Sequence, residues 1–249
     1  MIPAHTYDSI CDSMEREFVR RVRITDDNTV RALRYSQTYS EIEEYETIFK
    51  TDKVKMVGIL FVQPSHKIAK DEILPNIKYY HIRSRTNVNF YLAGYGAYLD
   101  RIKDVEVVCS VDRTDWQYSA TSFNNLREEI ENRSNWQYSG ECDLIIINAR
   151  YNKKESRVIL DFTCCVAINI NDLIRVGVIT STMKLFEDIF RYAEAQRHDD
   201  PTWGLSDELG FGSSKEGLKN IILNLLPSGA GKEIEKVSKF AVINISKVQ

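Results

Sequence analysis

Glycine and proline are scarce in this sequence, with 11 and 5 copies among 249 residues. Linkers between folded units are commonly rich in these residues, so few stretches are suited to that role. Long apolar runs are also missing, since none reaches the roughly 18 residues that would indicate a membrane-spanning helix. The N-terminal stretch, MIPAHTYDSICDSMEREF, is too polar for a signal peptide. We therefore expect a cytoplasmic protein with no membrane partner.

Cysteine usage excludes two further classes of protein. The five cysteines are an odd number, and no two of them form a CxxC pair. They provide neither the usual spacing of a zinc site nor the density of a disulfide scaffold. Cys109, Cys164 and Cys165 lie in apolar runs, where a thiol usually packs as a small hydrophobic group. This pattern is typical of a reducing, cytoplasmic environment.

The formal net charge of −3 gives no overall attraction to nucleic acids or anionic membranes. Nucleic-acid binding would therefore need a local basic segment or a partner that supplies one. Tyr79–Arg85 (YYHIRSR) is such a segment, and His81, Arg83 and Arg85 are its candidate binding residues for phosphates or bases. The alternative interpretation is a surface turn that contains a partly buried aromatic pair.

Apolar, β-rich runs bounded by turn or charged residues predict the strands of the core. These runs are Val54–Val62, Val88–Tyr95, Val105–Val111, Leu144–Ala149, Val158–Ile168 and Phe240–Ile245. Helical patterns lie between them, at Lys70–Tyr80, Ser122–Asn132 and roughly Asp172–Gln196. Buried strands that alternate with helices favour an α/β fold, with a mixed, largely parallel sheet and helices on both faces.

The first fifty residues predict a helical N-terminal extension. One helical stripe consists of Ile10, Met14, Phe18 and Val22. Ser40–Glu43 matches a capping box, and the apolar pattern that follows it continues to Phe49. We interpret residues 1–52 as a helical subdomain and residues 53–249 as an α/β core domain. Several arginines lie in the first helical pattern, and several glutamates lie in the second. Such charge blocks are expected on solvated helix faces or on a surface that docks a partner.

A tetrapeptide, WQYS, occurs at Trp116–Ser119 and again at Trp136–Ser139. Two copies are too few for a repeat architecture. Their aromatic side chains would serve as structural anchors on either side of the intervening helix. They could alternatively form a binding surface, in which Trp116, Tyr118, Trp136 and Tyr138 would contact a ligand or partner.

The stretch from Phe123 to Gln196 carries a possible catalytic motif. A helix with Glu128 and Glu129 is followed by a strand that starts at Asp143, a hairpin, a strand that contains Asp161, and a long helix. This order resembles the core of the PD-(D/E)xK nuclease superfamily. The resemblance implies that Asp143 and Asp161 bind Mg²⁺, with Glu128 or Glu129 as a helper, for metal-activated hydrolysis of a phosphodiester.

One position departs from that family pattern, because Thr163 stands where the superfamily has its catalytic lysine. Lys153, Lys154 or Lys184 would have to replace it from elsewhere in the fold. The sequence leaves the cofactor unknown, and Mg²⁺ is expected only under the nuclease hypothesis.

Three functional hypotheses follow. The favoured one is a non-catalytic interaction or sensing subunit of a larger intracellular assembly, with a protein partner. The alternative is a Mg²⁺- or Mn²⁺-dependent nuclease of the toxin or defence-effector type, with Asp143, Asp161 and Glu129 as catalytic residues. A third is a nucleotide or small-ligand enzyme on a Rossmann-like sheet, with its site at the carboxyl ends of strands, near Gln63–His66, Gly94–Gly96 and Asp112–Thr114.

Overall fold

The computed structural model of the chain describes residues 4–24, 30–32, 45–49, 54–84, 88–97, 103–177, 179–198, 241–243 and 245–247. The α-helices in these ranges are α1 (Tyr7–Phe18), α2 (Ile77–Ser84), α3 (Ala120–Arg133), α4 (Ile170–Arg175) and α5 (Thr182–His198). The strands of the first half are β1 (Val19–Ile24), β2 (Val30–Ala32), β3 (Tyr45–Phe49), β4 (Val54–Phe61), β5 (Asn89–Leu92) and β6 (Tyr95–Ala97). The remaining strands are β7 (Val105–Val111), β8 (Thr114–Ser119), β9 (Asp143–Asn152), β10 (Arg157–Asn169) and β11 (Ala241–Ile243).

The main sheet has five strands in the order β11-β10-β9-β4-β5. This mixed sheet confirms the α/β class, but the prediction that it is largely parallel is wrong. β4 and β5 run parallel, whereas β4–β9, β9–β10 and β10–β11 are antiparallel. The short turn at Lys153–Ser156 joins β9 to β10, and a connection of that length permits only antiparallel pairing. The apolar runs suggested parallel strands because both faces of the sheet are buried, and burial alone does not set strand direction.

Two smaller antiparallel sheets accompany the main sheet, in the orders β2-β1-β3 and β6-β8-β7. The predicted strand Val105–Val111 is confirmed as β7, but it lies in one of these smaller sheets. Its side chains are partly or fully exposed, in contrast to those of β4 and β9.

Central strand β9 divides the core in two, because its successive side chains point to opposite faces of the sheet. Leu144 and Ile146 pack into the first core, with side chains from α4 and α5. Ile145 and Ile147 pack into the second, with side chains from α1 and α3. The sheet therefore has helices on both faces, as the sequence predicts.

The N-terminal helical prediction is correct for α1 and wrong further along. Ile10, Met14 and Phe18 are buried in the second core, but Val22 lies in β1. Tyr45–Phe49 forms β3 instead of a helix, because antiparallel pairing with β1 overrides the helical spacing of its apolar residues. The capping box at residues 40–43 lies outside the described residues. The division of the chain at residue 52 stays a prediction.

Two predicted helices are interrupted. The helix predicted at Lys70–Tyr80 consists of a π-helical turn (Ala69–Ile73), a 3₁₀ turn (Leu74–Asn76) and α2. Pro75 lies at this change of geometry, and it has no N–H to continue a helical ladder. The helix predicted from Asp172 is divided into α4 and α5, with Gly177 at φ +75° between them. Within the described ranges, no helix has both the length and the apolar character that a membrane crossing requires.

Carboxylates from other parts of the chain bind the N-termini of three helices. Glu129 accepts a hydrogen bond from Tyr7 N–H at the start of α1 (2.7 Å). Asp104 accepts from Thr121 N–H in α3 (2.6 Å), and Glu72 accepts from Thr182 N–H and Oγ1–H in α5 (both 2.7 Å). Each carboxylate accepts a hydrogen bond from an N–H that has no partner within its helix. Its negative charge is also attracted to the positive end of the helix dipole.

Gly94, which connects β5 to β6, lies in a left-handed conformation with φ +80°. A Cβ atom at this position would lie 2.7 Å from Phe123 Cβ and 2.8 Å from the carbonyl oxygen of Ser119. Gly140 also has a positive φ (+87°), but nothing lies within 4 Å of its Cβ position. Substitutions at the two glycines can therefore distinguish the cost of backbone strain from the cost of steric crowding.

We expect Gly94→Ala to lower the free energy of unfolding by about 3 kcal/mol, because left-handed strain and overpacking add. Gly140→Ala should lower it by about 1 kcal/mol, because only the backbone strain applies. Equilibrium denaturation of both variants measures the difference. Equal losses would contradict the close approach of Gly94 to α3.

Candidate functional site

The two carboxylates of the nuclease hypothesis both have partners within the protein. Asp143 is buried, and its oxygens accept hydrogen bonds from Ser139 N–H (2.9 Å) and Ser139 Oγ–H (2.6 Å). Asp161 forms an ion pair with Arg150 (Nε–Oδ2, 2.6 Å). Thr163, at the position of the family's lysine, donates its hydroxyl to Asp161 Oδ1 (2.7 Å). These residues stabilise a turn and a strand pair.

Strand register keeps Asp143 and Asp161 apart. Asp143 pairs with Asn169, whereas Asp161 pairs with Asn148, five residues further along β9. Five residues of a strand span about 17 Å, and an odd separation places the two positions on opposite faces of the sheet. The structure therefore does not bring the predicted metal ligands together.

The other residues of the nuclease hypothesis are also dispersed. Glu129 caps α1, and Glu128 forms an ion pair with Arg127. Lys153 and Lys154 are exposed in the β9–β10 turn, and Lys184 pairs with Asp188. Among the described residues, no group of three or more His, Cys, Asp or Glu side chains could hold a metal ion.

The WQYS repeat forms part of an aromatic cluster. Tyr118 and Tyr138 contact the same ring of Phe123, with centroids 6.0 and 5.4 Å away. Trp136 packs on Phe61 at 4.7 Å. Tyr118 and Trp136 are buried, so they are unavailable as a partner surface in this structure. The prediction of structural anchors beside the intervening helix is confirmed for these side chains, whereas Trp116 on β8 remains partly exposed.

The carboxyl end of β4, proposed for a small ligand, is occupied by internal hydrogen bonds. His66 Nδ1 accepts a hydrogen bond from Ile68 N–H (3.3 Å). The other ring nitrogen, Nε2, lies 3.3 Å from the side-chain nitrogen Nδ2 of Asn171. His66 therefore connects the loop after β4 to α4.

An ion-pair network joins α2 to α5. Arg83 contacts both oxygens of Glu187, with Nε–Oε1 at 3.1 Å and Nη2–Oε2 at 3.4 Å. Arg191 lies 3.7 Å from the same carboxylate, and the hydroxyl of Tyr79 donates to it. The Arg83 guanidinium lowers the pKa of Glu187 below its usual range. Arg83 is thus held in a defined position. His81 is exposed on α2, and Arg85 lies outside the described residues.

Exposed apolar side chains surround this network. Tyr79, Ile82 and Met183 retain 38%, 46% and 40% of their accessible surface. Tyr79 is one helical turn from Ile82 and Arg83, and Met183 is one turn from Glu187. The ion pairs therefore bring these apolar groups onto one surface. We call it the α2–α5 face, formed by Tyr79, Ile82, Arg83, Met183, Glu187 and Arg191.

Sequence reasoning identified Arg83 and His81 but missed Ile82, Met183 and Glu187. The spacing of Met183, Glu187 and Arg191 at intervals of four was a readable sign of one helical face. It did not indicate that Arg83, about 100 residues earlier, would pair with Glu187, since only the tertiary fold brings them together.

Comparisons of this chain with protein-family models, curated proteins and solved structures give no match. The interpretation of the α2–α5 face therefore depends on its own geometry and chemistry.

The pH dependence of stability tests the environment of Asp143. Burial raises the pKa of this carboxyl, against the opposing effect of the hydrogen bonds from Ser139. The native state then holds the proton more tightly than the unfolded chain, so stability falls as pH rises from the ordinary value through the raised one. We expect the unfolding free energy of wild type, relative to Asp143→Asn, to decrease across that window and then level off.

Asp104→Asn is the matched control, since the hydrogen bond from Thr121 N–H lowers the pKa of Asp104. The stability that the Asp104 carboxylate contributes is lost as pH falls. The unfolding free energy of wild type, relative to Asp104→Asn, should therefore increase with rising pH. Denaturation at a series of pH values measures both curves. The same sign for both residues would contradict the assigned environment of Asp143.

Proposed function

We propose that this chain is a non-catalytic interaction or sensing subunit of a larger intracellular assembly, and that the α2–α5 face binds its protein partner. The observation that carries the proposal is the exposure of Tyr79, Ile82 and Met183 around the fixed Arg83–Glu187 pair. Tyrosine, methionine and arginine are enriched at protein interfaces, and grouped exposed apolar side chains commonly mark them.

The charges of this surface favour a protein over a nucleic acid. Arg83 already directs its guanidinium to both oxygens of Glu187, so a phosphate would have to displace that carboxylate. Lys184 and Asp188 on α5 form a further ion pair, so both signs of charge are present here. A partner with an apolar centre and a rim of both signs complements this pattern better than a uniformly anionic strand.

The metal-dependent nuclease stays a prediction of the sequence resemblance. It is the weaker proposal, because Asp143 and Asp161 lie on opposite faces of the sheet and already have hydrogen-bonding partners. An active site would require a rearrangement of β9 and β10.

A photo-crosslinking amino acid at Ile82 tests the docking surface in cells of the native host. We expect one discrete adduct between this chain and a partner protein, because Ile82 lies within the surface that the partner would cover. Val176, exposed to 45% against 46% for Ile82, is the matched control on the α4–α5 connection. It should give no such adduct.

A second substitution makes this test specific for the surface. Met183→Glu places a charge among the exposed apolar side chains of the face and should abolish the adduct at Ile82. Adducts of the same yield at Ile82 and Val176, or persistence of the adduct in Met183→Glu, would overturn the assignment of the face. Absence of any adduct at Ile82 would do the same.

A cleavage assay tests the nuclease alternative directly. Labelled DNA and RNA are incubated with Mg²⁺ or Mn²⁺ and with wild type, Asp143→Ala or Asp161→Ala, purified alone and with any bound partner. We expect no metal-dependent cleavage by any preparation. Cleavage by wild type that both substitutions remove would replace the interaction proposal with the nuclease one.

A further inference from the structure

A cleft of about 560 Å³ lies between β7 and the segment that leads into α2. One side is lined by the five consecutive residues Val108–Asp112, and the other includes Leu74, Pro75 and Ile77. Side chains of a strand alternate between its two faces. The cleft touches the consecutive strand residues Val108–Val111 and then Asp112 of the following turn, so it runs along the edge of the strand, where the backbone is accessible.

β7 is an edge strand of its sheet, since the order is β6-β8-β7 within the described part of the chain. Asp112 and Arg113 have φ values of +50° and +66° and form a two-residue hairpin turn between Val111 and Thr114. Positive values at both turn positions identify the type I′ turn that suits a β-hairpin.

The hairpin determines which backbone groups face the cleft. In a two-residue hairpin the residues beside the turn form a hydrogen-bonded pair, and such pairs alternate along the regular part of the ladder, which here extends from the turn to Cys109, before the register shift between Val107 and Cys109. Val111 and Cys109 therefore direct their N–H and C=O groups to β8, opposite Thr114 and Trp116. Ser110 directs its own groups outward. An occupant of this edge must supply a donor and an acceptor at strand spacing.

We propose that the cleft binds an extended peptide, which adds as a strand to β7 and carries alternating apolar and acidic side chains. A peptide backbone supplies the donors and acceptors that the free edge lacks. Leu74, Pro75 and Ile77 provide an apolar wall for alternate side chains. This site is separate from the α2–α5 face and does not depend on it.

The lysines of the cleft indicate that the peptide carries acidic side chains. Lys70 and Lys78 both line the cleft. Lys78 is paired with Asp112 (Nζ–Oδ1, 2.5 Å), whereas no ion pair is found for Lys70 among the described residues. An acidic side chain of the peptide would pair with Lys70. Val107, which precedes the cleft residues on β7, is 60% exposed.

The probe is a fluorescein-labelled hexapeptide of alternating valine and aspartate, titrated with the full-length protein and followed by fluorescence polarisation. We expect saturable binding that weakens with added salt. N-methylation of every second amide tests strand addition, because a strand directs alternate N–H groups to one side. One methylation frame should abolish binding and the other should leave it unchanged. Replacing aspartate by lysine should also abolish it.

Two substitutions test the protein side of the contact. Ser110→Pro removes the outward N–H without removing a backbone hydrogen bond to β8, although it also removes the side-chain hydrogen bond from Ser110 to Asp115. Proline is tolerated in edge strands, and this substitution should abolish binding. Lys70→Glu should weaken binding about fivefold or more, because it replaces an attractive ion pair with a repulsive one. Lys154→Glu, on the exposed β9–β10 turn, is the matched control and should bind as wild type does. Unchanged thermal unfolding of each variant shows that it is folded.

Three results would overturn the proposal. One is equal binding of the two methylated peptides, and another is wild-type binding by Ser110→Pro and Lys70→Glu. The third is no binding up to about 1 mM peptide, which is the limit of measurable specific affinity here. If the protein instead forms a dimer that Ser110→Pro dissociates, with no peptide bound, a second copy of the chain occupies the edge.

Discussion

The antiparallel pairing of β9 with both β4 and β10 is the constraint on which the other features depend. Asp143–Ala149 is buried along its whole length, and its alternate side chains build two different cores. A shift of one residue in register would exchange the two sets of side chains between cores that hold different helices. The position of every carboxylate on β9 and β10 is consequently set by packing, and not by any requirement for a shared ligand.

The sequence predicted where the chain forms strands better than how those strands pair. Apolar runs located β4, β9 and β10 because buried strands consist mainly of apolar residues, which can be read from the sequence. The direction of pairing depends on connection length and on the partner strand. The prediction of a largely parallel sheet was therefore wrong. Tyr45–Phe49 shows the same limit, since its pairing with β1 selects a strand over a helical pattern that the sequence also supports.

Candidate site residues were predictable by chemical type and not by location. Asp143 and Asp161 have the residue type and the order of a metal pair, but a register difference of five residues separates them. The WQYS repeat was recognisable, and its two tyrosines pack against Phe123 as structural anchors would. The α2–α5 face could not be predicted, because it combines two helices whose contact depends on the tertiary fold.

The capped helices have a consequence for how this protein folds. The carboxylates that bind the first turns of α1 and α5 are 122 and 110 residues away in sequence. Thr6 and Ser181 cap these helices locally, but the N–H groups of Tyr7 and Thr182 are bound by the distant carboxylates. Isolated helices of such length are marginal in water. Contacts over such separations slow folding, because the chain must close large loops before these contacts stabilise it. Helix formation and sheet assembly should therefore occur together in one cooperative transition, and fragments that contain α1 or α5 alone should remain largely unstructured.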